Sequence, residues 1–131
     1  MIGLDTNVLI RHLTQDDPIQ SPKATQLIEQ MLTEDSPGFI SLVVIAETVW
    51  VLESVYRQSA TQLADTIDRV LQIASLVVES EQAVFSAMAA VKDNRASFAD
   101  ALIGTLHAKA GCGTTVTFDR RAARLPEFEL L

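Results

Sequence analysis

Four carboxylates in this chain stand in local sequences that do not suit a solvated charge, and gathering them by folding would give them one chemistry. Asp5 closes the apolar opening Met1-Ile-Gly-Leu4 and is followed by Thr6 and Asn7. Glu47 lies inside the apolar run from Leu42 to Leu52. Asp100 sits between Phe98 and Ile103, and Asp119 ends the strand-like run Thr115 to Phe118. Clustered carboxylates repel one another, and a hard cation with oxygen ligands, Mg²⁺ or Mn²⁺, relieves the repulsion. A metal held in this way is the usual apparatus for cutting a phosphodiester.

The elements that must position these acids belong to a chain of 131 residues, read as one domain over 1–131 and long enough for a real core. Hydrophobic residues make up 48% and charged ones 21%, the balance of an ordinary globular protein. The opening has no basic region of the kind a signal peptide carries, and the longest apolar stretch, Ile40 to Val51, is interrupted and too short to span a bilayer. No membrane role is expected. Cys112 is alone, so no intrachain disulfide is possible, and a reducing cytoplasm fits.

A net charge of −7 argues against a nucleic-acid partner only when it is evenly spread. Three of the seven arginines, Arg120, Arg121 and Arg124, follow Asp119 directly, and Lys92 and Arg95 precede Asp100. Each cluster alone reads as a solvated face. Beside the acids, each is also a candidate phosphate contact.

Short strands alternate with helices along the chain. Ile2–Leu4 reads as a buried strand, and Asp5 or Thr6 caps a helix through Val8, Leu9, Ile10 and Leu13, broken at Asp16-Asp17-Pro18. Ser21-Pro22 supplies an N-cap and a first-turn proline for a second helix, with Ala24, Leu27, Ile28, Met31 and Leu32 at helical spacing. Phe39–Ser41 is the second strand, and Ser41 caps a long helix carrying Glu47 and Trp50. A helix over about 60–74, a strand at Leu76–Val78, and helices over 81–91 and 98–110 follow. Thr115–Phe118 is a strand, 120–124 a helical turn and Phe128–Leu130 an edge strand. This alternation predicts a three-layer α/β domain with a mostly parallel sheet.

Asp5 and Asp119 each follow a strand, and in a parallel sheet such ends share one edge, where ligand sites form. The ordinary alternative for each is a helix N-cap. Asp100, at the third position of its helix, is likewise explained by the helix dipole. Glu47 is the hardest to explain as structure. Its neighbours one turn away, Val43, Val44, Trp50 and Val51, are all apolar, which predicts a buried face unless the helix edge reaches water.

Gly3-Leu-Asp-Thr-Asn-Val-Leu-Ile10, Ile45-Ala-Glu47, Phe98-Ala-Asp-Ala-Leu-Ile103 and Thr117-Phe-Asp-Arg-Arg121 together resemble the PIN-domain nucleases over essentially the whole length. More narrowly, they resemble the VapC toxins of type II toxin–antitoxin modules. The resemblance implies an α/β/α fold with about five parallel strands and the first strand beside the fourth. It makes Asp5, Glu47, Asp100 and Asp119 a metal-holding and catalytic quartet, with Thr6, Asn7, Ser41 and Thr117 in support. It further implies Mg²⁺ or Mn²⁺, an RNA substrate cut to 5′-phosphate and 3′-hydroxyl ends, a small cognate antitoxin and a homodimer. A mean hydropathy of +0.22 in so acidic a chain agrees with uncovered apolar stripes, among them Leu27, Met31 and Val49 to Val55.

Two rival chemistries fit poorly. A haloacid-dehalogenase-type phosphatase needs a second Asp two residues after the first, where Asn7 stands. A phosphate-accepting receiver domain needs an acceptor Asp after its third strand, where Glu79 stands, and a late lysine, yet none lies beyond Lys109. An RNA-processing nuclease outside any toxin–antitoxin module, or a PIN-like binding module with little activity, remains the alternative. His12 and His107 fall within helices and read as structural, and Cys112 reads as a packing residue in a glycine turn.

Overall fold

The opening strand is short because Asp5 stops it. In the computed structural model, which describes residues 1–131, β1 covers only Ile2–Gly3. The Asp5 carboxylate then accepts from the Thr6 N–H at 2.8 Å and starts α1 (Thr6–Thr14). The next helix, α2 (Gln20–Gln26), begins two residues before Pro22, because Ser21 is not its cap. Asp17 does that work, accepting from the N–H groups of Ile19 and Gln20 at 2.9 and 2.7 Å, while Ser21 is buried as the helix's second residue. The helix widens into a π turn over Leu27–Met31, which keeps Ile28 in the core and leaves Met31 exposed.

β2 (Gly38–Ile40) leads through Ser41 into α3 (Leu42–Ser54), and the Ser41 hydroxyl accepts from the Val44 N–H at 3.3 Å, the capping role expected of it. α4 (Ala60–Leu71) opens on a reciprocal cap between Ser59 and Gln62, a Ser-x-x-Gln pattern of the capping-box kind. It ends short of Ala74 because the Gln72 and Ile73 N–H groups tighten onto the carbonyls of Arg69 and Val70. β3 (Leu76–Val78), α5 (Glu81–Lys92) and α6 (Phe98–Lys109) follow, the last capped by the Ser97 hydroxyl. β4 (Thr115–Thr117), a 3₁₀ turn over Ala122–Arg124 and β5 (Phe128–Leu130) complete the chain.

Every ladder is parallel, and with six helices the fold is of the α/β kind the alternation predicts. The strands nevertheless form two groups, β1-β2-β3 and β4-β5, and no ladder joins β1 to β4. The reason lies in the length of β1. Its flanking N–H groups, those of Ile2 and Leu4, are both spent on the β2 side, on the carbonyls of Pro37 and Phe39. Alternation along a strand leaves Gly3 alone to face the other edge, which is too little for a second ladder.

The core is a cluster of 26 buried residues, among them Leu9, Ile28, Ile40, Ile45, Leu52, Leu63, Ile67, Val84 and Met88. α5 packs against α4 and α6, and α1 against α2 and α3. At Gly104 α6 comes close to the last strand. A Cβ there would lie 2.7 Å from Phe128 Cε2 and 3.2 Å from Glu127 Cβ, so only glycine lets the two meet. One polar atom in the core is left over: the Thr48 hydroxyl, on α3, is buried with no hydrogen-bond partner.

Candidate active site

Thr6 ties two of the four acids together. Its backbone N–H donates to Asp5 Oδ1 at 2.8 Å, and its hydroxyl donates to Glu47 Oε2 at 2.6 Å, bridging 41 positions of sequence from the start of α1 to the middle of α3. Asp5 Oδ2 and Glu47 Oε1 have no protein partner. Both acids are exposed. The buried setting expected for Glu47 is therefore corrected. Its helical neighbours Val43 and Trp50 are themselves 67% and 64% exposed, so this face of α3 is apolar without being covered. A run of hydrophobic letters reports burial only when something packs on it.

Asp100 and Asp119 make no hydrogen bond to that pair. Asp100 lies in the first turn of α6, half-buried, with its N–H held by the Ser97 hydroxyl at 3.2 Å and its carboxylate free of protein partners. Asp119 is exposed and caps the turn that follows it, accepting from the N–H groups of Arg121 and Ala122 at 2.8 and 3.4 Å. The Thr117 hydroxyl accepts from the Asp119 N–H at 3.0 Å and so fixes the backbone beneath that acid. No three acidic, imidazole or thiol side chains lie close enough to share a metal ion.

The PIN domain family profile matches residues 2–127, nearly the whole chain. The chain belongs to the PIN domain family. PIN domains are generally Mg²⁺-dependent nucleases, which makes this one a candidate hydrolase of nucleic acid. No curated protein matches the chain.

The donors of this PIN domain suit a divalent metal in kind. They are hard carboxylate oxygens, and two of them, on Asp5 and Glu47, are coupled and unengaged. In number they fall short, since Asp100 and Asp119 do not join that pair into a cage. The fit is one of chemistry, with the coordination sphere left open.

An acid set aside in the sequence enters the same edge. Glu79 follows β3 as Asp5 follows β1 and Ser41 follows β2, and all three strands run parallel. Its Oε1 accepts from the Leu42 N–H at 2.8 Å, at the first residue of α3. The signal was an acid directly behind the strand Leu76-Val-Val78.

Around the acids, Asn7 is exposed on the first turn of α1. Arg120, Arg121 and Arg124 are exposed and make no ion pair; Lys92 is likewise free, whereas Arg95 lies 3.6 Å from Asp93. His12 meets the Thr25 hydroxyl at 3.0 Å and His107 the Thr115 hydroxyl at 2.9 Å, both linking neighbouring elements. Cys112 is exposed, so the packing role read for it is corrected: the turn behind α6 lies at the surface and nothing covers the thiol. No helix is long and apolar enough to cross a membrane.

Proposed function

We propose that this PIN domain is a metal-dependent endoribonuclease, the toxin of a type II toxin–antitoxin module, working in the cytoplasm as a homodimer held in check by a small antitoxin. The observation that carries the catalytic part is the Thr6 bridge, which holds the Asp5 and Glu47 carboxylates at the start of α1 with one oxygen of each unengaged. That is the beginning of a cation site in a family of nucleases.

In this reading Asp5, Glu47, Asp100 and Asp119 would hold Mg²⁺ or Mn²⁺, which would activate water and offset charge on the leaving oxygen. The chain's own residues do the positioning. Thr6 sets the spacing of Asp5 and Glu47. Thr117 braces the backbone of Asp119 and Ser41 fixes the start of α3, while Asn7, exposed on the first turn of α1, would support the first loop. Arg120, Arg121 and Arg124, with Lys92 and Arg95, hold the phosphate backbone. Their local charge offsets the repulsion between an acidic chain and a polyanion.

Support for a partner comes from uncovered apolar surface, although Val49 and Leu52 of the expected stripe are buried in the core and Leu27 is half-buried against it. Val43, Trp50 and Val55 on or just beyond α3 and Phe118 beside Asp119 are each more than 60% exposed. Patches of this kind mark interaction surfaces.

The deciding experiment compares wild type with Asp5→Asn and Asp100→Asn on a panel of RNAs, with the cleaved ends sequenced. Both variants should lose cleavage while keeping the fold, because asparagine caps α1 about as well as aspartate at position 5 and the Asp100 carboxylate has no protein partner to lose. Wild type in excess EDTA should be inactive. Undiminished cleavage by both variants, or with EDTA present, would sink the metal-nuclease reading. A short antitoxin-like reading frame beside this one, whose product co-purifies with the chain, supports the toxin role. A strict monomer that ignores such a product moves the assignment to RNA processing outside a toxin–antitoxin module.

A further inference from the structure

Glu79 grips the turn between β2 and α3 at two points. Its backbone N–H donates to the Ile40 carbonyl at 2.9 Å, and its Oε1 accepts from the Leu42 N–H at 2.8 Å. Ser41, which caps α3, lies between those two residues, so Glu79 brackets the place where strand becomes helix. The side-chain contact spans 37 positions of sequence, and Glu79 makes no ion pair that would draw it elsewhere. An acid just ahead of a helix ordinarily serves that helix. Here α5 begins at Glu81 with no side-chain cap, and Ser80 turns the chain at φ 50°, in the left-handed region that favours glycine. Glu79 serves α3 instead, whose own cap reaches only the Val44 N–H.

What α3 carries makes that contact matter. Glu47 lies about one and a half turns beyond Leu42 on the same helix. Ile45, Val49 and Leu52 anchor the inner face of α3 in the core, but apolar contact is non-directional and does not by itself fix the rotation of a helix about its axis. On the outer face Val43 and Trp50 are exposed, so nothing packs on the flanks of Glu47. Leu42 to Ser54 make two hydrogen bonds to other elements of the fold: Glu79 on the Leu42 amide, and Thr6 on the Glu47 carboxylate. We propose that Glu79 is a positioning residue for Glu47. By holding the first amide of α3 against the end of β3, it sets the height and rotation of the helix and so brings Glu47 to Thr6, beside Asp5. The placement of Glu47 stands without a metal ion, and its consequence for Mg²⁺ or Mn²⁺ rests on the metal-nuclease reading.

The test compares three variants of the full chain. Glu79→Gln keeps the acceptor oxygen at full reach and loses the charge. Glu79→Asp keeps the charge and falls one methylene short, and Glu79→Ala loses both. Amide hydrogen exchange read by NMR follows the contact itself: Leu42 should exchange faster in the Asp and Ala variants than in wild type or Glu79→Gln. Urea unfolding reads Glu47 without metal, through the coupling between Thr6→Val and Glu47→Ala, which should fall by about half or more in the Glu79→Ala background. Calorimetry with Mn²⁺ should show about tenfold weaker binding for Glu79→Ala and Glu79→Asp, the low end of what loss of an outer partner costs a metal site, with Glu79→Gln within about twofold of wild type. The reverse order, with Glu79→Asp like wild type and Glu79→Gln like Glu79→Ala, would mean that Glu79 acts by its charge and would overturn the positioning role. So would an unchanged Thr6–Glu47 coupling in Glu79→Ala, whatever that variant does to stability. A wild type that binds no Mn²⁺, while the coupling still depends on Glu79, keeps the positioning role and loses the metal reading.

Discussion

Replacing Thr6 by valine removes one hydroxyl and little else, and that makes it the sharpest probe of the acid pair. Valine keeps the branched shape, and its backbone N–H still donates to Asp5 Oδ1, so the cap of α1 survives. What goes is the 2.6 Å hydrogen bond to Glu47. A hydrogen bond to a charged acceptor contributes about 1.5–3 kcal/mol. Glu47 is exposed, however, and water screens exposed charges down to about 0–1 kcal/mol. The expectation settles at about 1 kcal/mol for the bond, or about 3–5 °C in Tm for a chain of this size. A double-mutant cycle of Thr6→Val and Glu47→Ala, read by urea unfolding, isolates that value. If the bond is real, the double variant unfolds little more easily than either single one. Mn²⁺ titration by calorimetry on Thr6→Val, which keeps every carboxylate, should show about fivefold weaker binding, the equivalent of 1 kcal/mol. Single effects that add to within about 0.3–0.5 kcal/mol would mean the two residues are uncoupled. The case for Thr6 as the organiser of the site would then be lost.

Three further outcomes follow from the geometry. The triple variant Arg120→Ala, Arg121→Ala, Arg124→Ala should bind RNA more weakly across all sequences with a flatter salt dependence and unchanged metal affinity; an unaltered salt slope returns these arginines to a solvated turn. Thr48→Val, which replaces an unpartnered buried hydroxyl by a methyl group of the same shape, should raise stability by about 1 kcal/mol in urea unfolding, and a loss of stability would mean the hydroxyl has a partner in solution. Burial holds the His12 imidazole below its ordinary pKa, against a smaller opposing pull from Glu29. The unfolded chain therefore binds the proton more readily than the folded one. This contribution is complete above the unfolded value of about 6.5 and is lost as the pH falls through it toward the folded one. His12→Gln should flatten the stability profile in that window, and an unchanged profile would contradict the burial argument.

Helix positions were legible wherever the chain carries its own start signals. Asp5, Ser41 and Ser97 sit directly before α1, α3 and α6, and each caps its helix through the side chain. Ser21-Pro22 misled because a cap depends on which side chain reaches the free N–H groups, and Asp17 reached them first. The strands were legible as apolar runs, but their grouping was not. Whether β1 takes one neighbour or two depends on how many amides it has to share, and a two-residue strand has few. For Glu47 the sequence misjudged solvation, because Val43 and Trp50 beside it are exposed while only Val44 and Val51 turn toward the core. The Thr6–Glu47 contact had no local signal at all, since its partners are 41 residues apart.

Asp100 and Gly104 lie one turn apart on α6, and the surface of that helix at Gly104 is where the last strand comes to rest. β5 is in turn the sole ladder partner of β4, after which Asp119 stands, and the final backbone amide, that of Leu131, is fastened to the Thr117 carbonyl at 2.8 Å. The packing of the helix that carries Asp100 on the strand pair that follows thus depends on a side chain that is not there. A larger residue 104 would press on the Phe128 ring first and on Glu127 next, and the strand pair behind Asp119 is what would have to give. The tail of the chain is a lever with its fulcrum at a glycine, and extensions fused to Leu131 act on the long arm.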